Sequence, residues 1–116
     1  DYFASSRLTR TQARDQAVST LKELSESDTA DQSAKDDAAA QISALADDTV
    51  AEANIESLIR AKGYEDAVVM LGDGSANIVV APPDGGLQAD DVAVIRDIVI
   101  SETGMTAGQI KIVEAS

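Results

Sequence analysis

The feature that most constrains this chain is a change of hydrophobic period at Gly63. Before Gly63, apolar residues recur every three or four positions, as they do on one face of a helix. After it, the stretch "DAVVMLGDGSANIVV" (66–80) alternates apolar and polar residues on both sides of a Gly-Asp-Gly pivot at 72–74. A glycine at either end of the loop permits the positive φ that hairpin turns need, so this stretch predicts a tight β-hairpin.

The helical part begins with a continuous segment at 2–26 that contains no Gly or Pro. Its front half has few apolar residues, and we therefore expect residues 1–30 to project from the domain as a stalk. A polar break, "ESDTADQS", separates it from a second helix with Ser33 as the N-cap. The residues expected to face inward are Ala13, Ala17, Leu21 and Leu24 in the first helix and Ala34, Ala38, Ile42 and Leu45 in the second.

A third helix is predicted after Asp47 and Asp48, which interrupt the pattern. Thr49 and Glu52 have the spacing of a capping box, and Gly63 supplies the left-handed residue that ends a helix. The residues predicted to be buried by this helix are Ala51, Ile55, Leu58 and Ile59.

The end of the chain predicts one more helix and one more strand. Pro82 and Pro83 cannot donate to a ladder and therefore end the second strand. A fourth helix is predicted over 89–103, with Ile95 and Val99 in the core and Gly104 as its cap. The alternation in "GQIKIVEA" (108–115) then predicts a last strand with its two isoleucines on one face and Lys111 and Val113 on the other.

These elements predict an α+β fold in which N-terminal helices precede an αββαβ core at 48–116, within an interaction domain at 31–116. A right-handed crossover through the fourth helix makes the second and third strands parallel. We expect the first strand to lie antiparallel between them, in the order 3-1-2. One face of the sheet then carries the third and fourth helices.

Composition and charge exclude several classes of function. The chain has no Cys and no His, which removes disulfides, thiolate metal sites and the commonest proton shuttle. Its net charge of −12 disfavours nucleic acid or an anionic membrane as a partner, because both need clustered basic residues. No stretch is apolar enough to cross a bilayer or resembles a signal peptide.

Positive charge is concentrated at the start of the chain. The first fourteen residues carry +2, and since the whole chain carries −12, the remainder carries −14. Spacing of three and four residues places the three N-terminal arginines on one helical stripe. We expect them to be electrostatic contacts for an acidic partner: Arg7, Arg10 and Arg14.

Signs of a catalytic or ligand site are weak. A metal-dependent hydrolase could be suggested by three pairs of adjacent aspartates, Asp36-Asp37, Asp47-Asp48 and Asp90-Asp91. However, the side chains of adjacent residues on a helix point in different directions, so we expect these aspartates to cap helices or to face water. The Gly72-Asp73-Gly74-Ser75 loop lacks the acidic spacing of an EF-hand and the lysine of a P-loop. An αββ unit also suggests a KH domain, but the basic Gly-x-x-Gly clamp is missing. We expect no cofactor, no metal and no enzymatic activity.

Two long stretches resemble a known family. "ESLIRAKGYEDAVVMLGDGSANIVV" (56–80) and "DDVAVIRDIVISETGMTAGQIKIVEAS" (90–116) are similar to the C-terminal domain of the stage III sporulation protein AH family. The specific features are Lys62-Gly63-Tyr64-Glu65-Asp66-Ala67, Glu102-Thr103-Gly104 and Ile110-Lys111-Ile112. The family is similar in fold to the ring-building domains of type III secretion and flagellar proteins.

The resemblance implies a non-enzymatic assembly module. Its implied setting is a mother-cell protein with one N-terminal transmembrane helix, whose domain lies in the intermembrane space around the forespore. Its implied partner is the forespore membrane protein Q of stage II sporulation, with copies of itself in a ring as a further partner, and the pair forms a channel or zipper. The alternative is a small acidic spacer domain of a secretion-type ring that only self-associates.

The edges of the predicted sheet are the candidate binding sites, because unpaired strand edges can add a partner strand. Of the two predicted edges, the second strand ends in two prolines and is the alternative edge, at Asn77, Ile78 and Val79. The third strand has no proline, and we expect it to bind the partner through Ile110, Lys111, Ile112, Val113 and Glu114.

Overall fold

The computed structural model describes residues 1–115, which form two compact units, one of residues 1–49 and a second that begins at Val50. The described elements are α1 (Tyr2–Ser25), α2 (Gln32–Ala61), β1 (Ala67–Gly72), β2 (Ser75–Val80), α3 (Ala89–Thr103) and β3 (Ile110–Glu114), with a 3₁₀ turn at Ala107–Gln109. No helix within residues 1–115 has both the length and the apolar character needed to cross a membrane.

The first unit contains α1 and the start of α2. Asp31, rather than the predicted Ser33, caps the start of α2, since its Oδ1 accepts the Ala34 N–H at 2.8 Å. The inward stripe predicted for this part of α2 is confirmed, with Ala38 fully buried and Ile42 and Leu45 half-buried. In α1 the prediction was only partly right: Ala17 and Leu21 are half-buried, but Ala13 and Leu24 are exposed, and no residue of α1 is fully buried.

The second and third predicted helices are one continuous helix, so the break at Asp47 and Asp48 was wrong. Thr49 does not cap a helix: its Oγ1 donates to the Leu45 carbonyl at 2.8 Å, as a helix-interior threonine does. An aspartate inside a helix costs only about 0.7 kcal/mol or less relative to alanine, which the apolar face of a long helix offsets.

In the second unit, β1 pairs antiparallel with β2, and β2 pairs parallel with β3. The observed strand order is therefore β1-β2-β3, and the predicted order 3-1-2 was wrong. The crossover through α3 delivers β3 directly beside β2, as adjacent parallel strands joined by a helix usually are. The parallel relation of β2 and β3 is confirmed.

One face of the sheet packs on two helices. The C-terminal half of α2 contributes Ile55 and Ile59, and α3 contributes Ile95 and Val99, all with no exposed surface. This confirms the prediction that both helices lie on the same face, although Leu58 is 40% exposed and does not belong to the core. The strand residues in this core are Ala67, Val69, Leu71, Ala76, Ile78 and Val80.

The predicted hairpin and the predicted last helix are both confirmed. The turn is two residues long, with positive φ at Asp73 (50°) and Gly74 (73°), the conformation of a type I′ hairpin. The helix α3 has the predicted limits and ends at Gly104, whose φ of 73° gives the left-handed cap. The hairpin joins β1 to β2, and α3 connects β2 to β3, so β1 and β3 lie at the two edges of the sheet.

Candidate functional site

The two edges of the sheet are β1 and β3, because β2 is hydrogen-bonded on both sides. The alternative edge predicted at Asn77, Ile78 and Val79 is therefore wrong: these residues belong to the central strand, and their partners on either side are already in place. Only β1 and β3 can therefore pair with a strand of another protein.

The edge of β1 is closed by helix α2. In β1, the residues Ala67, Val69 and Leu71 have N–H groups that point away from β2, since their neighbours bond to it. The Val69 N–H donates to Glu56 Oε2 and the Leu71 N–H donates to Glu52 Oε2, each at 2.8 Å. Both glutamates are buried, so water does not compete for these donors.

The third outward donor of β1 is satisfied by a similar device. The Ala67 N–H donates to Asp66 Oδ1 at 2.8 Å. Arg60, one helical turn beyond Glu56, forms an ion pair of 3.4 Å with that same oxygen of Asp66. Side chains of α2 thus accept two of the three outward N–H groups of β1, and Asp66, which is paired with Arg60 of α2, accepts the third. A partner strand could reach these N–H groups only by displacing those side chains.

The edge of β3 is open. The Ala115 N–H donates to the Val80 carbonyl at 2.9 Å, which places the N–H groups of odd-numbered residues on the β2 side. The N–H groups of Ile112 and Glu114 consequently point away from the sheet. The Ile110 N–H is used locally, since it bonds to the Ala107 carbonyl. Two adjacent outward positions of β3 are thus available for strand pairing within the described residues.

The side chains of β3 divide between the two faces of the sheet as predicted. Ile110 and Ile112 pack against the core, whereas Lys111 and Val113 are exposed on the other face. Glu114 has an internal role that was not predicted: its Oε2 accepts the Leu87 N–H at 3.0 Å. Gly86 has a φ of 84°, which favours glycine, and a Cβ there would lie 3.3 Å from the same oxygen of Glu114.

The face of the sheet opposite the two helices has an apolar row across its strands, in which Val68 is fully buried and Val113, at the β3 edge, is exposed. Val79 pairs with Val113 across the strands, and Asn77 pairs with Lys111 in the neighbouring row. Val113 and Met70 are 41% and 39% exposed, respectively. A strand added to β3 would extend this surface, with side-chain contacts at Lys111 and Val113 beside the backbone hydrogen bonds.

The three predicted electrostatic contacts lie in the first unit. Arg10 and Arg14 line a groove between α1 and α2 with a volume of about 380 Å³ and a floor of Val18, Ile42 and Leu45. Arg14 Nη1 donates to Thr49 Oγ1 at 3.0 Å. Arg7, Arg10 and Arg14 all have interaction partners within the chain. Their role toward an acidic partner stays a prediction.

Elsewhere in the second unit, one hydrogen bond joins the segment between α2 and β1 to the start of α3. The Tyr64 hydroxyl donates to Asp91 Oδ1, and the Gln88 N–H donates to Asp91 Oδ2 at 2.8 Å. Burial, the hydrogen bond and the charge of Asp91 together raise the pKa of Tyr64 to about 12. The hydrogen bonds from Tyr64 and Gln88 lower the pKa of Asp91.

No group of three or more acidic side chains within residues 1–115 is arranged to hold a metal ion.

Similarity to known proteins identifies the family of this chain. A family model described as SpoIIIAH-like protein matches residues 1–112. The chain belongs to the SpoIIIAH-like family. The match includes both N-terminal helices, upstream of the stretches that carried the resemblance in the sequence. No curated protein sequence matches the chain.

Two solved structures are similar to this SpoIIIAH-like chain. A chain of the SpoIIQ-SpoIIIAH pore forming complex has a TM-score of 0.87 and 28% identity, over 100% of this chain and 99% of that chain. The type III secretion system protein EscJ of enteropathogenic E. coli has a TM-score of 0.57 and 23% identity, over 66% of this chain and 51% of that chain. The second likeness shows a shared fold, and the family indicates a structural role in protein assembly.

The residues that sequence reasoning missed in this SpoIIIAH-like chain are Glu52 and Glu56. A signal for them exists: at about 100° per residue they fall on the same arc of α2 as Ile55 and Ile59. Carboxylates within a buried stripe need hydrogen-bond donors, and an adjacent strand edge provides them. Glu52 was instead interpreted as part of a capping box, because a separate third helix was predicted to begin at that point.

Proposed function

We propose that this chain is an extracytoplasmic assembly module of a sporulation channel or zipper, which binds a SpoIIQ-like forespore membrane protein across the intermembrane space. Membership of the SpoIIIAH-like family supports the assembly role. Likeness to a chain of the SpoIIQ-SpoIIIAH pore forming complex over its full length supports the choice of partner. The mother-cell membrane anchor and the intermembrane location rest on the family resemblance.

The observation that carries the mode of binding is the open edge of β3. Its outward N–H groups at Ile112 and Glu114 have no partner within the described residues, whereas those of β1 are all bonded. Edge strands with free N–H groups bind extended segments through main-chain hydrogen bonds, and neighbouring side chains supply specificity. We propose that a partner strand pairs with Ile110–Glu114 and contacts Lys111 and Val113.

The test is binding of this chain to the soluble domain of the cognate SpoIIQ-like protein, measured by calorimetry, with the mass of the complex determined in parallel. Ile112→Pro removes an outward N–H and is expected to abolish or strongly weaken binding. Val113→Pro removes an N–H on the β2 side and is expected to weaken the fold instead. Circular dichroism and thermal unfolding of each variant separate these two effects.

A more specific form of this test replaces only the amide hydrogen of Ile112. The chain has no cysteine, so residues 107–116 can be joined by ligation through Ala107→Cys, followed by selective desulfurisation back to alanine. N-methylation at Ile112 then removes the N–H and keeps the side chain, and the unmethylated product is the matched control. Equal binding by the two products would exclude strand pairing at β3. A complex of this chain with itself alone would favour the ring spacer that only self-associates.

A further inference from the structure

We infer that Glu52, Glu56 and the Arg60–Asp66 pair form an edge lock that prevents strand addition at β1 and thereby limits this chain to one strand partner. The excluded ligand is an extended β-strand, in the first place β3 of a second copy of this chain. The lock itself does not depend on the proposed partner: it concerns which edge is closed, and it can be tested without a SpoIIQ-like protein.

The register of the lock follows from two repeat distances. Four residues along an α-helix rise about 6.0 Å, and two residues along an antiparallel strand span about 6.8 Å. Helix positions 52, 56 and 60 therefore keep step with strand positions 71, 69 and 67, with the helix antiparallel to the strand. The observed hydrogen bonds follow this order: Glu52 to Leu71, Glu56 to Val69, and Arg60 through Asp66 to Ala67.

The burial of Glu52 and Glu56 indicates that these positions need side chains with hydrogen-bond acceptors. Glu52 has no exposed surface and Glu56 has 4%. Burying a charged group is costly unless hydrogen bonds compensate, and an apolar residue would fill the same volume without that cost. However, an apolar residue has no atom that could accept hydrogen bonds from the outward N–H groups of β1. No buried side-chain polar atom in the described residues lacks a hydrogen-bond partner, so hydrogen bonds offset part of this cost at both glutamates.

One closed edge limits how copies can assemble. If both edges were open, β3 of one copy could pair with β1 of the next, and this head-to-tail pairing would continue without limit. With β1 closed, a strand bound at β3 ends the sheet on that side, and the other side offers no site. The lock therefore keeps the free edge for a single partner strand.

The experiment compares two replacements of the glutamates in the complete chain. Glu52→Gln with Glu56→Gln keeps an acceptor oxygen at each position. Glu52→Met with Glu56→Met keeps a similar length and removes the acceptors. Amide hydrogen exchange at Val69 and Leu71 reports the lock, and sedimentation velocity over a range of concentrations reports self-association.

The lock predicts that the double methionine variant exchanges Val69 and Leu71 at least about tenfold faster, as expected for a lost hydrogen bond to a charged group, and that it self-associates with rising concentration. The double glutamine variant is expected to keep the slow exchange and the sedimentation behaviour of the parent chain. Adding Val69→Pro to the methionine variant removes an outward donor and is expected to reduce self-association. If the double variant fails to fold, Glu56→Met alone is expected to expose Val69 and leave Leu71 protected.

Slow exchange at Val69 and Leu71 in the methionine variants would overturn the lock, because another group would then close the edge. Fast exchange in a variant that remains monomeric at all concentrations would overturn the claim that the lock limits assembly. Neither result depends on whether a SpoIIQ-like protein binds β3. Conversely, loss of partner binding in Ile112→Pro tests the proposed function and leaves the lock untouched.

Discussion

Glu56 Oε2 accepts a hydrogen bond of 2.8 Å from the backbone N–H of Val69, and both residues are buried. This contact makes the two edges of a small sheet unequal. Strand β1 is paired with β2 on one side and with helix α2 on the other, whereas β3 has a neighbour on one side only. Strand β3 is therefore the edge at which we propose that a partner strand is added.

The core of the second unit predicts a clear order of mutational effects in α3. Ile95→Ala removes fully buried methyl groups and is expected to lower the free energy of unfolding by about 2–5 kcal/mol. Val99→Ala removes less volume and is expected to cost less. Val94 lies on the same helix but is 37% exposed, so Val94→Ala is the matched control and is expected to have little effect. Denaturant unfolding that gave equal midpoints for Ile95→Ala and Val94→Ala would contradict the observed packing.

The hairpin turn predicts that two neighbouring glycines respond differently. Gly74 has φ of 73°, so Gly74→Ala forces a side chain into the left-handed region and is expected to cost about 1–2 kcal/mol. Gly72 has no positive φ, and an added Cβ would meet nothing within 4 Å, so Gly72→Ala is expected to be neutral or slightly stabilising. Thermal unfolding of the two variants measures the difference, and a reversed order would show that the turn is not type I′.

The pair Tyr64–Asp91 predicts a stability that depends on pH at both extremes. The folded state holds the Asp91 pKa below its ordinary value of 3.8, so the stability that Asp91 contributes is complete above that pH and is lost as the pH falls through its folded pKa. The Tyr64 pKa is raised from 10.0 to about 12, so its contribution is complete below pH 10.0 and is lost as the pH rises to about 12.

The measurement for this pair is the free energy of unfolding of the parent chain and of Tyr64→Phe as a function of pH. We expect the parent to be the more stable of the two at neutral pH, with a difference that shrinks below the ordinary pKa of Asp91 and above that of Tyr64. Tyr2 is exposed on α1, and Tyr2→Phe is the control, for which no such difference is expected. A difference that grew toward either extreme would contradict the sign derived from the two pKa shifts.

The proposal that the N-terminal segment is a stalk predicts tolerance to truncation. No residue of α1 is fully buried. Deletion of residues 1–12 is expected to leave the denaturant midpoint of the remaining chain close to that of the parent. A loss of several kcal/mol, the scale of a deleted core element, would rule out a stalk.

Much of the fold could be predicted from local signals. The period of two after Gly63, the Gly-Asp-Gly turn and the glycine after Thr103 identified the hairpin and the limits of α3, because each depends on a few adjacent residues. The error at Asp47 and Asp48 has a physical cause of the same kind. Local propensities of Asp and Thr favour a helix end there, but the packing of a long apolar stripe decides in favour of one continuous helix.

The order of the strands could not be obtained from local signals, because it depends on what covers each edge. The side chains that close β1 are on α2, and Leu71 is separated from Glu52 by nineteen positions. Sequence alone identified β3 as an edge without a proline, and the structure shows which of its N–H groups point outward. It also shows that Glu114, predicted as a partner contact, has its carboxylate engaged by the Leu87 N–H.

The measurement that tests the central claim most directly is amide hydrogen exchange of this chain with and without the soluble domain of a SpoIIQ-like partner. Strand pairing at β3 predicts that the N–H groups of Ile112 and Glu114 exchange markedly more slowly in the complex, while those of Val69 and Leu71, already bonded to Glu56 and Glu52, change little. A complex that forms with unchanged exchange at Ile112 and Glu114 would contradict the account and place the interface elsewhere.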